Sequence, residues 1–236
     1  MKKIFTQAVC CCWFFVLSLP ATSFSQCPGG YTQSQINWDF LDYLVTTGSY
    51  SGFVTNAIAS NQSFMMGTTR VSMAAATPSF TLGGENATHT GELAGYTGQD
   101  VQYTPTVTND SVVITFDQLV TNARFALYDI DNLASFRISA RDAAGTALNP
   151  AVTLQASTIL TLGGTPTAVT VGTTSTTNLT NNSNMGSAII TVAGPVRVIK
   201  FVILARGNDP VFWMSDINGC VSGTFPNNWR NISRPF

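Results

Sequence analysis

Ser111-Val112-Val113-Ile114-Thr115-Phe116-Asp117, followed after five residues by Ala123-Arg124-Phe125-Ala126-Leu127-Tyr128-Asp129-Ile130-Asp131, is the stretch on which the fold turns. In the first run Val112, Ile114 and Phe116 share one parity, the period of a strand with one buried face. In the second, Phe125 and Leu127 do the same. The short polar link at 118–122 predicts that the two runs pair as a hairpin.

Period two also rules the flanks. At 135–141, Phe136, Ile138 and Ala140 alternate with Arg137, Ser139 and Arg141, so one face is buried and one wet. Residues 196–205 are almost continuously apolar, broken by Arg197 and Lys200, which predicts a mid-sheet strand covered on both faces. Further strands are expected at 62–74, 152–155, 158–162, 168–171, 188–192 and 211–217, the last carrying Trp213 into the core. Segment 36–45 is ambiguous: Ile36, Phe40 and Tyr43 suit a helix face, whereas Trp38, Phe40, Tyr43 and Val45 suit a strand, and the strand is preferred. The Thr-, Ser- and Asn-rich tract 172–186 reads as an exposed loop. Many short strands between Gly, Pro and Asn turns, with no capped helical stripe, predict an all-β fold. Its form is a two-sheet antiparallel β-sandwich, jelly-roll or immunoglobulin-like.

The first 25 residues have the form of an export signal. Lys2 and Lys3 precede an apolar run at 4–19, Pro20 ends it, and Ser23 and Ser25 suit the cleavage positions. The run is shorter than the roughly 20 residues a spanning helix needs, so no membrane span is expected after its removal. The expected organisation is a signal at 1–25, one sandwich domain at 26–222, and a linker or the opening of a downstream region at 223–236. Three of the five cysteines, Cys10, Cys11 and Cys12, fall in the signal. Cys27 and Cys220 remain, and in an oxidising compartment they are natural partners in a disulfide.

Two of the eleven basic residues also stand in the signal, leaving nine against twelve acids and Lys200 as the only lysine of the remainder. A chain without a basic cluster has no electrostatic footprint for nucleic acid or an anionic membrane surface. Its 10% of charged residues leaves solubility to Thr, Ser, Asn and Gly, while 44% hydrophobics argues against disorder.

Asp110-Ser111-Val112-Val113-Ile114-Thr115-Phe116-Asp117, Val120-Thr121-Asn122-Ala123-Arg124-Phe125 and Tyr128-Asp129-Ile130-Asp131-Asn132, taken together, resemble modules of exported bacterial surface proteins. Such proteins are large and multidomain, and some leave by the type IX secretion route. The resemblance covers about residues 62–220 of the chain. It implies a surface location within a larger protein and a β-sandwich architecture, and carries over no catalytic residue.

Three constellations are candidates for chemistry. If the strand runs on unbroken, Asp129 and Asp131 emerge on one face beside Asn132, an oxygen set that suits Ca2+ when completed by Asp216 or Asp209. Salt bridges to Arg124, Arg137 or Arg206, or a strand end in solvent, are the plainer readings. Tyr96 and Tyr103, flanking a turn-rich stretch, would offer an exposed platform for stacking on a glycan, with Trp213 and Trp229 as further aromatics. Glu85 and Glu92 flank the only histidine, His89, in a Gly-rich loop and would serve a glycoside hydrolase if they lined one cleft. Zinc and a serine triad lack the necessary ligands and nucleophile elbow. The reading is an exported cell-surface module for adhesion, ligand or glycan binding, or spacing, and not an enzyme. A glycan-active hydrolase using Glu85 and Glu92 is the alternative.

Overall fold

The computed structural model describes residues 27–36, 38, 57–58, 62–75, 80–83, 100–155, 159–179, 184–208 and 211–223. In chain order the strands are β1 (Tyr31–Ile36), β2 (Ala57–Ile58), β3 (Gln62–Met66), β4 (Thr69–Ala75), β5 (Phe80–Gly83), β6 (Asp100–Tyr103), β7 (Ser111–Tyr128) and β8 (Ala134–Arg141). They continue as β9 (Ala147–Leu148), β10 (Ala151–Leu154), β11 (Leu160–Thr165), β12 (Ala168–Thr173), β13 (Ala188–Val192), β14 (Val196–Arg206), β15 (Phe212–Met214) and β16 (Ile217–Ser222). The fold is an all-β, antiparallel two-sheet sandwich.

The decisive element is β7, at 18 residues far longer than an ordinary strand. The two runs expected to fold back as a hairpin are the two halves of this one strand. Its first half lies between β4 and β14 and turns Val112, Ile114 and Phe116 inward. Its second half lies between β13 on one side and β15 and β16 on the other, and turns Ala123, Phe125 and Leu127 inward. The inward parity thus changes from even to odd, which needs an extra residue between the halves. Asn122 supplies it. Against β16 the register passes from Thr121↔Cys220 to Arg124↔Asn218, three residues on β7 for two on β16. Asn122 has φ 53°, a left-handed conformation that asparagine tolerates better than most side chains. A bulge of this kind lets one strand turn the corner from one sheet into the other. Exposed Asp117 and Gln118 mark the outside of that corner, where the Asp117 carboxylate accepts the Arg70 N–H at 2.8 Å.

The first sheet runs β11-β12-β8-β14-β7-β4-β3. The second runs β10-β13-β7, and along the far edge of β7 continues as β16-β1 and as β15-β6-β5-β2. Because β7 belongs to both, hydrogen bonding is continuous through all sixteen described strands. Phe212 of β15 ties the layers together: its ring meets Tyr103 of the same sheet and Phe136 and Phe201 of the opposite one edge to face, at centroid distances of 5.1, 4.7 and 5.8 Å. Each such pair is worth about 0.5–1.5 kcal/mol beyond its buried area.

Several boundaries differ from the sequence reading. β14 lies mid-sheet between β7 and β8, but it is not covered on both faces: Val196, Ile199, Phe201 and Ile203 face the core while Lys200 is exposed, since a two-layer sandwich leaves the outer face of a central strand wet. β1 ends at Ile36, and Trp38 follows in a helical turn, fully buried. The 211–217 strand is two strands, interrupted at Ser215 and Asp216. Cys27 and Cys220 form a disulfide with Cα atoms 5.6 Å apart, tying the segment before β1 to β16 across 193 residues of sequence.

Candidate functional site

β7 ends at Tyr128, and the chain then reverses through a tight loop in which Asp129, Asn132 and Leu133 have φ of 62°, 45° and 74°. The alternation that would have set Asp129 and Asp131 side by side therefore stops one residue short. Asp129, Asp131 and Asn132 are all buried. Asp131 uses its carboxylate to accept the Leu179 N–H, and its carbonyl accepts Ala134 N–H at 2.7 Å. Asn132 holds the other side: its carbonyl and its Oδ1 accept from the backbone N–H and Nδ2 of Asn208, both at 3.0 Å. Gly207, at φ 73°, lets this contact form, since a Cβ there would stand 2.6 Å from the Asn132 carbonyl oxygen.

The polar tract after β12 lies on this loop, and so is more than an exposed connection. Thr177 and Ser175 carbonyls accept the N–H groups of Asn132 and Leu133 at 3.1 and 2.9 Å, and Gly186 accepts Ile130 N–H at 3.0 Å. Asp216, also buried, sits between β15 and β16 and accepts Trp38 N–H at 2.9 Å on Oδ1. Beside it, the Ser215 hydroxyl accepts from Ala126 N–H and donates to the Asp216 carbonyl. Asp131 and Asp216 thus fasten different segments, and peptide N–H groups offset the cost of burying their charge. Among the described residues, no three His, Cys, Asp or Glu side chains come together where they would hold a metal ion. Asp209 lies outside those residues.

Tyr103 corrects the expectation of a sugar platform. It is completely buried, its ring edge on to Phe212. Val101 and Tyr103 share a parity in β6, and both face inward. Tyr96, Trp229, Glu85, Glu92 and His89 lie outside the described residues. Trp213 is buried, in a small cluster with Ala126, Tyr128 and Ile189 separate from the main core.

A concavity of about 320 Å3 opens at the β11–β12 end of the first sheet. Cross-strand pairing sets Thr161, Gly172 and Ser135 in one row and Gly163, Thr170 and Arg137 in the next, on the face where Arg137 is exposed. Gly172 can only be glycine: a Cβ there would stand 2.4 Å from that of Ser135. A bulge in β14 between Ile203 and Ala205 brings Leu204 to the same wall. Glycine inside Thr-rich strands, a mark of close backbone approach, is a hint the sequence reading did not use, and it does not by itself locate the trough.

No family model and no curated protein matches the chain. Among solved structures it is similar to a glycoside hydrolase family 43 arabinoxylan arabinofuranohydrolase from Bacillus subtilis in complex with cellotetraose. The identity is 12% and the TM-score 0.29, over 75% of this chain and 30% of that one. The expectation that the chain is not an enzyme meets a glycoside hydrolase among the solved structures it is similar to, and it is not carried forward. At this TM-score the likeness assigns no activity, substrate or residue to the present chain.

Proposed function

We propose that the chain is an exported, disulfide-closed β-sandwich that binds a ligand outside the cell, as a module of a larger surface protein. The disulfide between Cys27 and Cys220 carries the reading, because such bonds persist in oxidising compartments. The basic-then-apolar start of the sequence supports the same address. A surface rich in Thr and Ser hydroxyls, with Lys200 as the only lysine after the signal, suits ligands recognised by hydrogen bonding over polyanions.

Expression of the full chain in a bacterial host tests this. The expected result is protein accessible to external protease, with mobility on non-reducing gels that changes on reduction. The exported protein is also expected to be retained on insoluble extracellular material. The same incubation scores release of soluble sugar, so that binding and turnover are read together. A chain held in the cytoplasm with Cys27 and Cys220 as free thiols overturns the reading.

A further inference from the structure

We propose that the trough at the β11–β12 end of the first sheet binds a short stretch of a neutral polysaccharide. This deepens the ligand-binding reading above and rests on it. The trough's volume of about 320 Å3 falls at the lower end of small-ligand sites, which run from about 300 to 1,000 Å3. Its shape comes from missing side chains. Gly172 lets β12 approach Ser135 closely, while in the adjacent cross-strand row the missing side chain of Gly163 leaves backbone open between Thr161, Thr170 and Ser135.

The lining selects the ligand class. No carboxylate or ammonium lines the trough among the described residues, and exposed Arg137, in the row of Gly163 and Thr170, stands beside the lining and not in it, so an ionic ligand seated in the trough would lose hydration without a countercharge in contact. A purely apolar ligand would instead strip water from the hydroxyls of Ser135, Thr161 and Thr170 and return nothing. Hydroxyls that both donate and accept match a ligand whose own groups do the same. The Thr161 hydroxyl is already oriented, donating to the Gly172 carbonyl at 3.2 Å, which leaves its oxygen as an acceptor. Leu204 adds apolar contact for the C–H face of a sugar ring. Access is open, since residues 161–167 of β11 and its turn are exposed.

The test is calorimetric titration of the exported full chain with neutral xylo-, gluco- and manno-oligosaccharides, and with polygalacturonate fragments as the acidic counterpart. Two variants probe the trough. Gly163→Leu fills it, its Cβ meeting only the Thr170 Oγ1 at 3.0 Å, the end of a side chain that can turn aside. Thr170→Val removes one hydroxyl at nearly constant shape. Met65→Ser, on the exposed side of β3 at the far edge of the sheet, is the control. Saturable binding of a neutral oligosaccharide is expected, lost in Gly163→Leu, about tenfold weaker in Thr170→Val and unchanged in Met65→Ser. Should Gly163→Leu fail to fold, Thr170→Val decides alone. Neutral binding equal in Thr170→Val and the unmodified chain overturns the site and leaves the ligand-binding reading standing. Binding of polygalacturonate alone, or of no oligosaccharide while the exported chain is still retained on extracellular material, overturns the ligand class. Failure of export and retention together sinks the broader reading as well.

Discussion

The backbone N–H of Trp38 donates to Asp216 Oδ1 at 2.9 Å, while its indole Nε1–H donates to the Ser215 carbonyl at the same distance. One buried residue after β1 thereby fixes both residues of the break between β15 and β16. Asp216→Ala is expected to destabilise the fold by about 2–3 kcal/mol, because a buried N–H loses a charged acceptor. Asp216→Asn, which keeps a carbonyl oxygen, is expected to lose about half as much. Urea unfolding of both variants checks the order.

The disulfide closes nearly the whole described chain, its cysteines lying 193 positions apart. A loop of that length is expected to lower the stability of the reduced protein by about 5 kcal/mol on the chain-entropy account, with about 2–5 typical of native bonds. Thermal unfolding of Cys27→Ser/Cys220→Ser against the oxidised chain measures it. A midpoint unmoved by the double substitution would show that the ends are held by β1–β16 pairing alone.

Asn122 carries the change of parity in β7 through a left-handed backbone. Asn122→Gly is expected to leave stability within about 0.5 kcal/mol, whereas Asn122→Val, β-branched at positive φ, is expected to cost about 1–3 kcal/mol. Equal midpoints for the two would mean that the bulge is not needed to turn the corner.

Gly172 and Gly29 separate crowding from chain entropy. A Cβ at Gly172 meets the Ser135 Cβ at 2.4 Å and the Ala134 carbonyl oxygen at 2.9 Å, while one at Gly29 meets nothing within 4 Å. Gly172→Ala is expected to cost about 1–3 kcal/mol and Gly29→Ala to be neutral or slightly stabilising. Parallel chemical denaturation of the two distinguishes them.

Burial lowers the Arg124 pKa, because the charged guanidinium loses water. A base whose folded pKa is depressed carries its penalty at every pH below that pKa, and the penalty is relieved only as pH rises through it. Across neutral pH the guanidinium stays charged in both states and the penalty is constant. Arg124→Met is therefore expected to hold or slightly raise the melting temperature at pH 6 and pH 8 alike. A drop of several degrees at either pH would show that Arg124 earns its place through contacts that outweigh desolvation.

The all-β class and most strand positions were legible because alternation is local: Phe136, Ile138 and Ala140 announce β8 from eight residues alone. The hairpin expected across 118–122 was misread because polar Asp117, Gln118 and Asn122 are what a turn needs and also what a corner between sheets needs. Only the partners on either side distinguish the two. Asp129 was misplaced for a related reason: its left-handed backbone breaks a parity that the side chains on paper continue. Cysteine pairing was readable because two cysteines outside the signal admit one bond. The trough was not, since Thr161, Thr170 and Ser135 become neighbours only through the order β11-β12-β8.

Cys27 and Cys220 sit at the two ends of the described domain. Tension entering at one of these residues and leaving at the other would run through a single covalent bond. The strands between them hang outside that load path, so a pull applied at the two cysteines would not unzip the sandwich. Reducing that one bond would transfer the force to β1 and β16, whose six paired residues would then part first.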